Sequence, residues 1–179
     1  MIRFGPPATE CRVLVFREGL LARLGHDLEL AVTRFDVRVD EVARSVDASF
    51  DAASLRVVGA SRDGVALPNA LSDDDRRTIE DRIRRQVLET NRYPEIRFRS
   101  LRVADVPNGF DVTGRLLLHG KERDVLVPLR RTGDRYTAEV AVAQPDFAIA
   151  PFSAFFGAVS VKPRVIVRLA FPAAAAVRA

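Results

Sequence analysis

One cysteine, one methionine, two tyrosines, two histidines and no tryptophan leave this chain poor in the side chains that carry most chemistry. The lone Cys11 excludes an internal disulfide and any CxxC-type metal or redox motif. No run approaches the ~18 uninterrupted apolar residues of a membrane-spanning helix. The opening MIRFGPPATE has no basic stretch ahead of an apolar core, so no secretory signal is expected and cytoplasmic residence is the default. Lysine is scarce too, since 26 of the 28 basic residues are arginine. They are scattered among 24 acids and form no basic block, so nucleic acid is not an expected partner. What remains is a chain of 179 residues, 47% of them apolar, with no repeat and no linker. A chain of that length buries a sizeable core without disulfides or metal, and one domain over residues 1–179 is expected.

The one convincing long helix lies in LSDDDRRTIEDRIRRQVLETNRYPEIRFRS, Leu71 to Ser100. Ser72 is a natural N-cap, with Asp75 standing in for the capping-box glutamate. Asp73, Asp74 and Asp75 suit the positive end of the helix dipole. Ile79, Ile83 and Val87 form a narrow apolar stripe, and Glu80–Arg84 and Asp81–Arg85 have the spacing of i,i+4 pairs. Asn91 and Pro94 end the helix. So thin a stripe predicts a helix over about 73–90 laid against a sheet as a lid or plug. Its arginines, Arg76, Arg82, Arg84 and Arg85, read as a solvated face, with contact to an anionic membrane the sharper alternative.

Elsewhere the pattern has period two. Strands are expected at 11–17, at Leu28–Val32, Phe35–Val39, Val46–Phe50 and Leu55–Val57, then a loop over 59–70. Further strands follow at Ile96–Phe98, Leu101–Val103, Phe110–His119, Val125–Leu129, Tyr136–Val142, Phe147–Ile149, Val159–Val161 and Val165–Phe171. Asn108-Gly109 is a strong hairpin signal, and Gly120-Lys121 and Gly133-Asp134 mark two more turns. The Ala-rich tail over 172–179 is expected to fray. Short strands at regular spacing with a single helix exclude βαβ units and predict an all-β, antiparallel sandwich or barrel. Closure into a barrel of about eight strands removes exposed edges, so a barrel is favoured, with one amphipathic helix packed on it.

Few residues suggest catalysis. His26 and His119 lack metal-ligand spacing and read as strand-end hydrogen-bonding groups, though an enzyme of unrecognised type would use one of them. No serine sits in a GxSxG elbow, and Cys11 reads as a small core filler. No catalytic residue, metal or cofactor is therefore assigned. The run PFSAFFG places Phe152, Phe155 and Phe156 within five residues. An alternating strand does not bury all three on one face, so a cavity-mouth position for at least one is expected.

Three segments resemble the YceI-like family. His26-Asp27 followed by Arg34-Phe35-Asp36-Val37 is similar to its opening elements. Asn91-Arg92-Tyr93-Pro94-Glu95-Ile96-Arg97-Phe98-Arg99-Ser100 resembles its KYPxIxFxS signature, and Gly114 through Leu129 its GxLxxHGxxxxVxxP hairpin. Asp146 to Ile149 and Val161 to Phe171 also fit, so the resemblance spans about residues 10–171. Arg62-Asp63 followed by Gly64-Val65 departs from the family's RDxHL element, and the charged helix is longer than usual. The resemblance implies a lipocalin-like barrel that binds an isoprenoid-like lipid, such as a polyprenyl quinone, without catalysis. Its partners would be that lipid, with peripheral membrane contact and homodimer formation left open. Expected cavity residues are Phe35, Val37, Phe98, Leu116, Leu118, Phe147, Phe155 and Val167, with His26, Asp27 and Tyr93 as a polar rim. The alternative is a structural or interaction module whose barrel is filled by its own side chains.

Overall fold

The computed structural model describes residues 1–18, 25–154 and 159–173. In chain order the elements are β1 (Ile2–Phe4), β2 (Glu10–Val15), β3 (Arg17–Glu18), β4 (Asp27–Val32), β5 (Phe35–Asp40), β6 (Ser45–Asp51), β7 (Leu55–Arg62) and β8 (Val65–Ala66). Helix α1 (Asp73–Arg82) follows, then β9 (Glu95–Val106), β10 (Gly109–Leu118), β11 (Lys121–Thr132), β12 (Arg135–Ala143), β13 (Ser153–Ala154), β14 (Val159–Val161) and β15 (Arg164–Pro172). Twelve strands make one antiparallel sheet in the order β1-β5-β6-β9-β10-β11-β12-β15-β2-β4-β7-β8, and β13-β14-β3 make a small second sheet. The strand count therefore exceeds the eight expected. Residues 59–62 are not loop either: β7 runs on to Arg62 and turns through Asp63 and Gly64, both at positive φ, into β8.

Two short links force the sheet to curl. Thr33 and Arg34 alone join β4, near one end of the strand order, to β5, near the other. Three Cα–Cα steps reach roughly 11 Å, so the two ends of the sheet meet there. Ala52–Ser54 make the same crossing from β6 to β7. The links are pinned together: Thr33 N–H and Oγ1 donate to Ser54 O at 3.2 and 2.8 Å, and Asp51 N–H donates to Arg34 O at 3.0 Å. Ser54, fully buried, accepts from Arg34 N–H through Oγ at 3.1 Å.

The curled sheet does not close by strand pairing, which corrects the expectation of a barrel without edges. No ladder joins β1 or β5 to β7 or β8 among the described residues. The helix takes that place. Val57 N–H donates to Glu80 Oε1 at 2.9 Å, and Arg76 Nη1 donates to the carbonyls of Val57 and Val58 at 3.1 and 2.9 Å. Backbone groups that would otherwise offer a bare edge are satisfied by helix side chains. Glu80, committed to β7 and 3.7 Å from Arg56, forms no pair with Arg84, whereas Asp81–Arg85 forms at 2.9 Å.

The helix begins as its sequence dictates. Asp75 N–H donates to Ser72 Oγ, and Ser72 N–H donates back to Asp75 Oδ2, a complete capping box. The Ser72 hydroxyl and N–H hold the Asp75 carboxyl below the usual carboxylate range. Beyond Arg82 one wider π-type turn covers Ile83–Val87, with Leu88 N–H bonded to Ile83 O. Ile79, Ile83 and Leu88 pack on Cys11, Leu30, Val32, Leu55 and Val57, while Val87 and Leu88 reach Val142, Phe147 and Ile149.

Two bulges break the alternation. β9 carries an extra residue, Leu101, between the pairs Ser100↔Gly114 and Arg102↔Thr113, and Leu101 is turned out to solvent. β7 carries Val58 between the pairs Gly59↔Glu29 and Val57↔Leu30, and it too is exposed. A third irregularity parts β11 from β12. They pair only over Arg130–Thr132, and Pro128 lies in the unpaired stretch, where a missing N–H costs nothing.

Candidate functional site: an apolar cavity with one polar end

The concave face of the sheet and the helix enclose a cavity of about 420 Å³. Its walls come from alternating positions of nearly every long strand. Val13 and Val15 belong to β2, Leu28, Leu30 and Val32 to β4, Val112, Leu116 and Leu118 to β10, and Val165, Val167 and Leu169 to β15. Ile79, Ile83, Val87 and Leu88 close the helix side. The interior is hollow, not filled by its own side chains. Phe171 also lines the cavity and packs edge-on against Phe4, ring centroids 5.5 Å apart.

Among the described residues, the polar side chains lining the cavity are few and share one end: Arg17, His26, Arg82, Gln144 and Ser160. A chain of contacts ties them together. Arg82 lies over the Phe152 ring at 5.6 Å, Phe152 O accepts from Val161 N–H at 2.9 Å, and Val161 pairs with Arg17. Gln144 Nε2 donates to Lys162 O at 3.2 Å, and Lys162 N–H donates to Phe16 O at 2.8 Å. Arg17 is largely buried, its Nη1 3.2 Å from Asp27 Oδ2 and its Nη2 donating to Asp63 Oδ1 at 3.0 Å. Asp27 Oδ1 also accepts from the Arg17 N–H at 2.9 Å. Cys11, in the wall, is a neutral thiol: burial pushes its pKa up to about 12, and nearby Arg12 pulls it back only in part.

Of the residues expected from sequence, Val37, Phe98, Leu116, Leu118 and Val167 line the cavity, and His26 lies at its polar end. Phe35 does not line it; it stacks on Phe50 at 5.5 Å across the pair Phe35↔Phe50, and Phe50 faces the cavity instead. Phe147 is buried behind the wall with Val142 and Ile149. Asp27 stands off the cavity, engaged with Arg17. Phe155 and Phe156 fall outside the described residues, while Phe152 does reach the mouth.

Tyr93 lies elsewhere. Its ring packs 4.3 Å from the His119 ring and against Gly120, where a Cβ would sit 2.7 Å from Tyr93 Cε1. His119 and Gly120, both at positive φ, make the two-residue turn between β10 and β11. His119 Nδ1 donates to Phe147 O at 3.3 Å and Nε2 lies 3.2 Å from Glu89 Oε2. Gly114 likewise lets Phe98 cross it, since a Cβ there would approach the ring to 2.4 Å. The residues that carry the sequence resemblance thus pack on one another and shape the wall.

The match that decides kinship covers residues 24–173, against the YceI-like domain. This chain belongs to the YceI-like family. Solved structures agree on the YceI-like fold. Burkholderia cenocepacia BcnA superposes with a TM-score of 0.61 at 18% identity, over 90% of this chain and 94% of that one. A polyisoprenoid binding domain from Saccharophagus degradans, implicated in plant cell wall breakdown, gives 0.55 at 13% identity over 91% of each chain. The Campylobacter jejuni YceI protein gives 0.54 at 13% identity, over 79% of this chain and 81% of that one. No curated protein matches the sequence.

The sequence reading of this YceI-like chain missed Arg17, Arg82, Gln144 and Ser160. One of them had a signal. In Cys11-Arg12-Val13-Leu14-Val15-Phe16-Arg17 the inward phase runs Cys, Val, Val and then Arg, a cation where an apolar residue is due. Arg82 is one position off the Ile79–Ile83 stripe and had no such signal.

Proposed function

We propose that this YceI-like protein binds, without catalysis, a hydrophobic isoprenoid-like lipid, such as a polyprenyl lipid of the quinone type, inside the cavity. The observation that carries this is a hollow, apolar interior of about 420 Å³ with its polar lining residues gathered at one end. That volume falls within the roughly 300–1,000 Å³ of small-molecule sites. The Saccharophagus degradans domain of the same fold is described as polyisoprenoid-binding, which supports the choice of ligand class. Partition supplies the driving force: about 0.8 kcal/mol per buried CH₂ reaches micromolar binding with a few isoprene units, after ordering costs. The neutral Cys11 thiol supports a wall residue over a nucleophile. Peripheral membrane contact belongs to the same reading: a lipid of this kind would be drawn from a membrane, and Phe16 and Phe152, with Lys162 and Arg82 over their rings, are the apolar and cationic groups near the polar end that would meet it. Mass spectrometry of an organic extract of gently purified protein is expected to recover a stoichiometric prenyl-chain lipid. Recovery of none, with no saturable binding of a polyprenyl probe, would refute the reading.

A further inference from the structure

We infer that the gap between β11 and β12 is a side entrance to the cavity, through which the apolar tail of a single-chain lipid swings in. This rests on the lipid reading above and adds the route by which the tail enters. β11 pairs with β10 over Lys121–Arg130 and β12 pairs with β15 over Arg135–Ala143. With each other the two strands pair only through Arg130–Thr132 and Arg135–Thr137. The sequence builds this gap in. Arg131 N–H points toward β10, where it donates to Asn108 O at 2.8 Å. Donors alternate along a strand, so position 128 is one whose N–H would face β12, and proline there removes that donor. Continuing the register of Arg130↔Thr137 sets Leu126 opposite Ala141. Both are exposed, and no ladder joins them among the described residues.

A cleft of about 330 Å³ lies along the gap, with Leu126, Pro128 and Ala141 among its apolar flanks. Val125, Val140 and Val142 line both this cleft and the inner cavity. Valine side chains, with no hydrogen-bonded ladder, therefore separate the two spaces. Parting a ladder breaks its hydrogen bonds, whereas turning these side chains breaks none. The other seam, between the ends of the strand order, is tied to the helix by Glu80 and Arg76. At its foot the gap meets a short 3-10 turn, Gln144–Phe147. Gln144 lines the cavity at its polar end, while Phe147 lines the cleft and not the cavity. A lipid whose polar end stays beside Gln144 swings its tail in sideways. The tail then does not slide past the polar groups, nor does the polar end cross the apolar interior, and each of those desolvation costs is avoided.

The test is stopped-flow fluorescence of the intact protein with all-trans retinol, an isoprenoid that reports its own burial. In Leu126→Cys/Ala141→Cys a short bis-thiosulfonate reagent spans the gap through two disulfides, and reductant cuts the bridge. Cys11 is buried and takes no part. Bridging is expected to slow retinol association and dissociation alike, at least roughly tenfold, with Kd within about threefold of the unbridged protein. Reductant should restore both rates. The same bridge in Arg99→Cys/Arg115→Cys, across the paired strands β9 and β10, should leave both rates unchanged. Phe147→Leu trims the foot of the gap, leaves the cavity lining intact, and should speed both rates at least roughly threefold. Unchanged rates in the bridged protein overturn the side entrance and leave the lipid reading standing. Equal slowing by the two bridges overturns it too, because stiffening anywhere in the wall would then suffice. No saturable binding of retinol or farnesol to the parent protein overturns the lipid reading and the entrance with it.

Discussion

Leu116→Trp puts the hollow interior to a direct test, because the chain has no other tryptophan. Leu116 sits opposite Phe98 on β9 and lines the cavity with Leu118, two residues along the same face. An indole there extends into empty space and occupies the volume of roughly three or four ligand carbons. At about 0.8 kcal/mol each, the excluded contacts cost the ligand about 3 kcal/mol, or roughly a hundredfold in Kd. The fold itself should lose under about 1 kcal/mol, whereas overpacking a filled core costs roughly 1–3. Emission of the single tryptophan should be blue-shifted, as for an indole in a dry site, while the control Val42→Trp, at a position 97% exposed, should emit as in water. Urea unfolding and titration with a polyprenyl probe complete the assay. A water-like emission from Trp at 116, or a large loss of stability with unchanged ligand affinity, would refute the cavity argument.

Ile83→Asp places a charge where the helix packs on Cys11, Leu30 and Leu55, and should lower unfolding free energy by roughly 2–4 kcal/mol in urea melts. A change near zero would mean the helix is not docked. His119→Ala leaves Phe147 O and Glu89 without their imidazole partner but removes nothing from the cavity wall. Ligand affinity should stay within about threefold while stability falls by about 1–2 kcal/mol. Cys11 should resist a water-soluble disulfide reagent at pH 8 until the protein is unfolded, since burial raises its pKa from 9.0 to about 12. The sign of the linkage follows. Above pH 9 the unfolded thiol ionises while the folded one keeps its proton, so stability falls as pH rises from about 9 to about 12. Cys11→Val should remove that slope from alkaline unfolding curves.

Local chemistry was legible in the sequence because its causes are local. Ser72 and Asp75 cap the helix wherever it docks, and β4, β10 and β15 keep their apolar faces because the pleat repeats every two residues. Val37, Phe98, Leu116, Leu118 and Val167 could be placed on one surface for that reason. Phe35 shares that face, two residues from Val37 and paired with Phe50, but it packs on the Cys11 and Leu30 cluster and off the open space, which only the tertiary packing decides. The bulges at Leu101 and Val58 were equally hidden: an extra residue is defined only by the strand opposite. Nor does any local pattern reveal that Glu80 and Arg76 spend their hydrogen bonds on β7, which leaves the curled sheet unclosed by strand pairing. The sequence alone therefore determined most of the strands, the helix and an apolar set of walls, but not the strand over 59–62 nor the 3-10 turn at Gln144–Phe147, where a strand over Phe147–Ile149 was expected. Only the tertiary structure decided that those walls enclose space and that Arg17, His26, Arg82, Gln144 and Ser160, between 9 and 143 positions apart along the chain, share one end of it. Hydrophobic patterning is a property of each segment, but a convergence of polar groups exists only once the segments are packed.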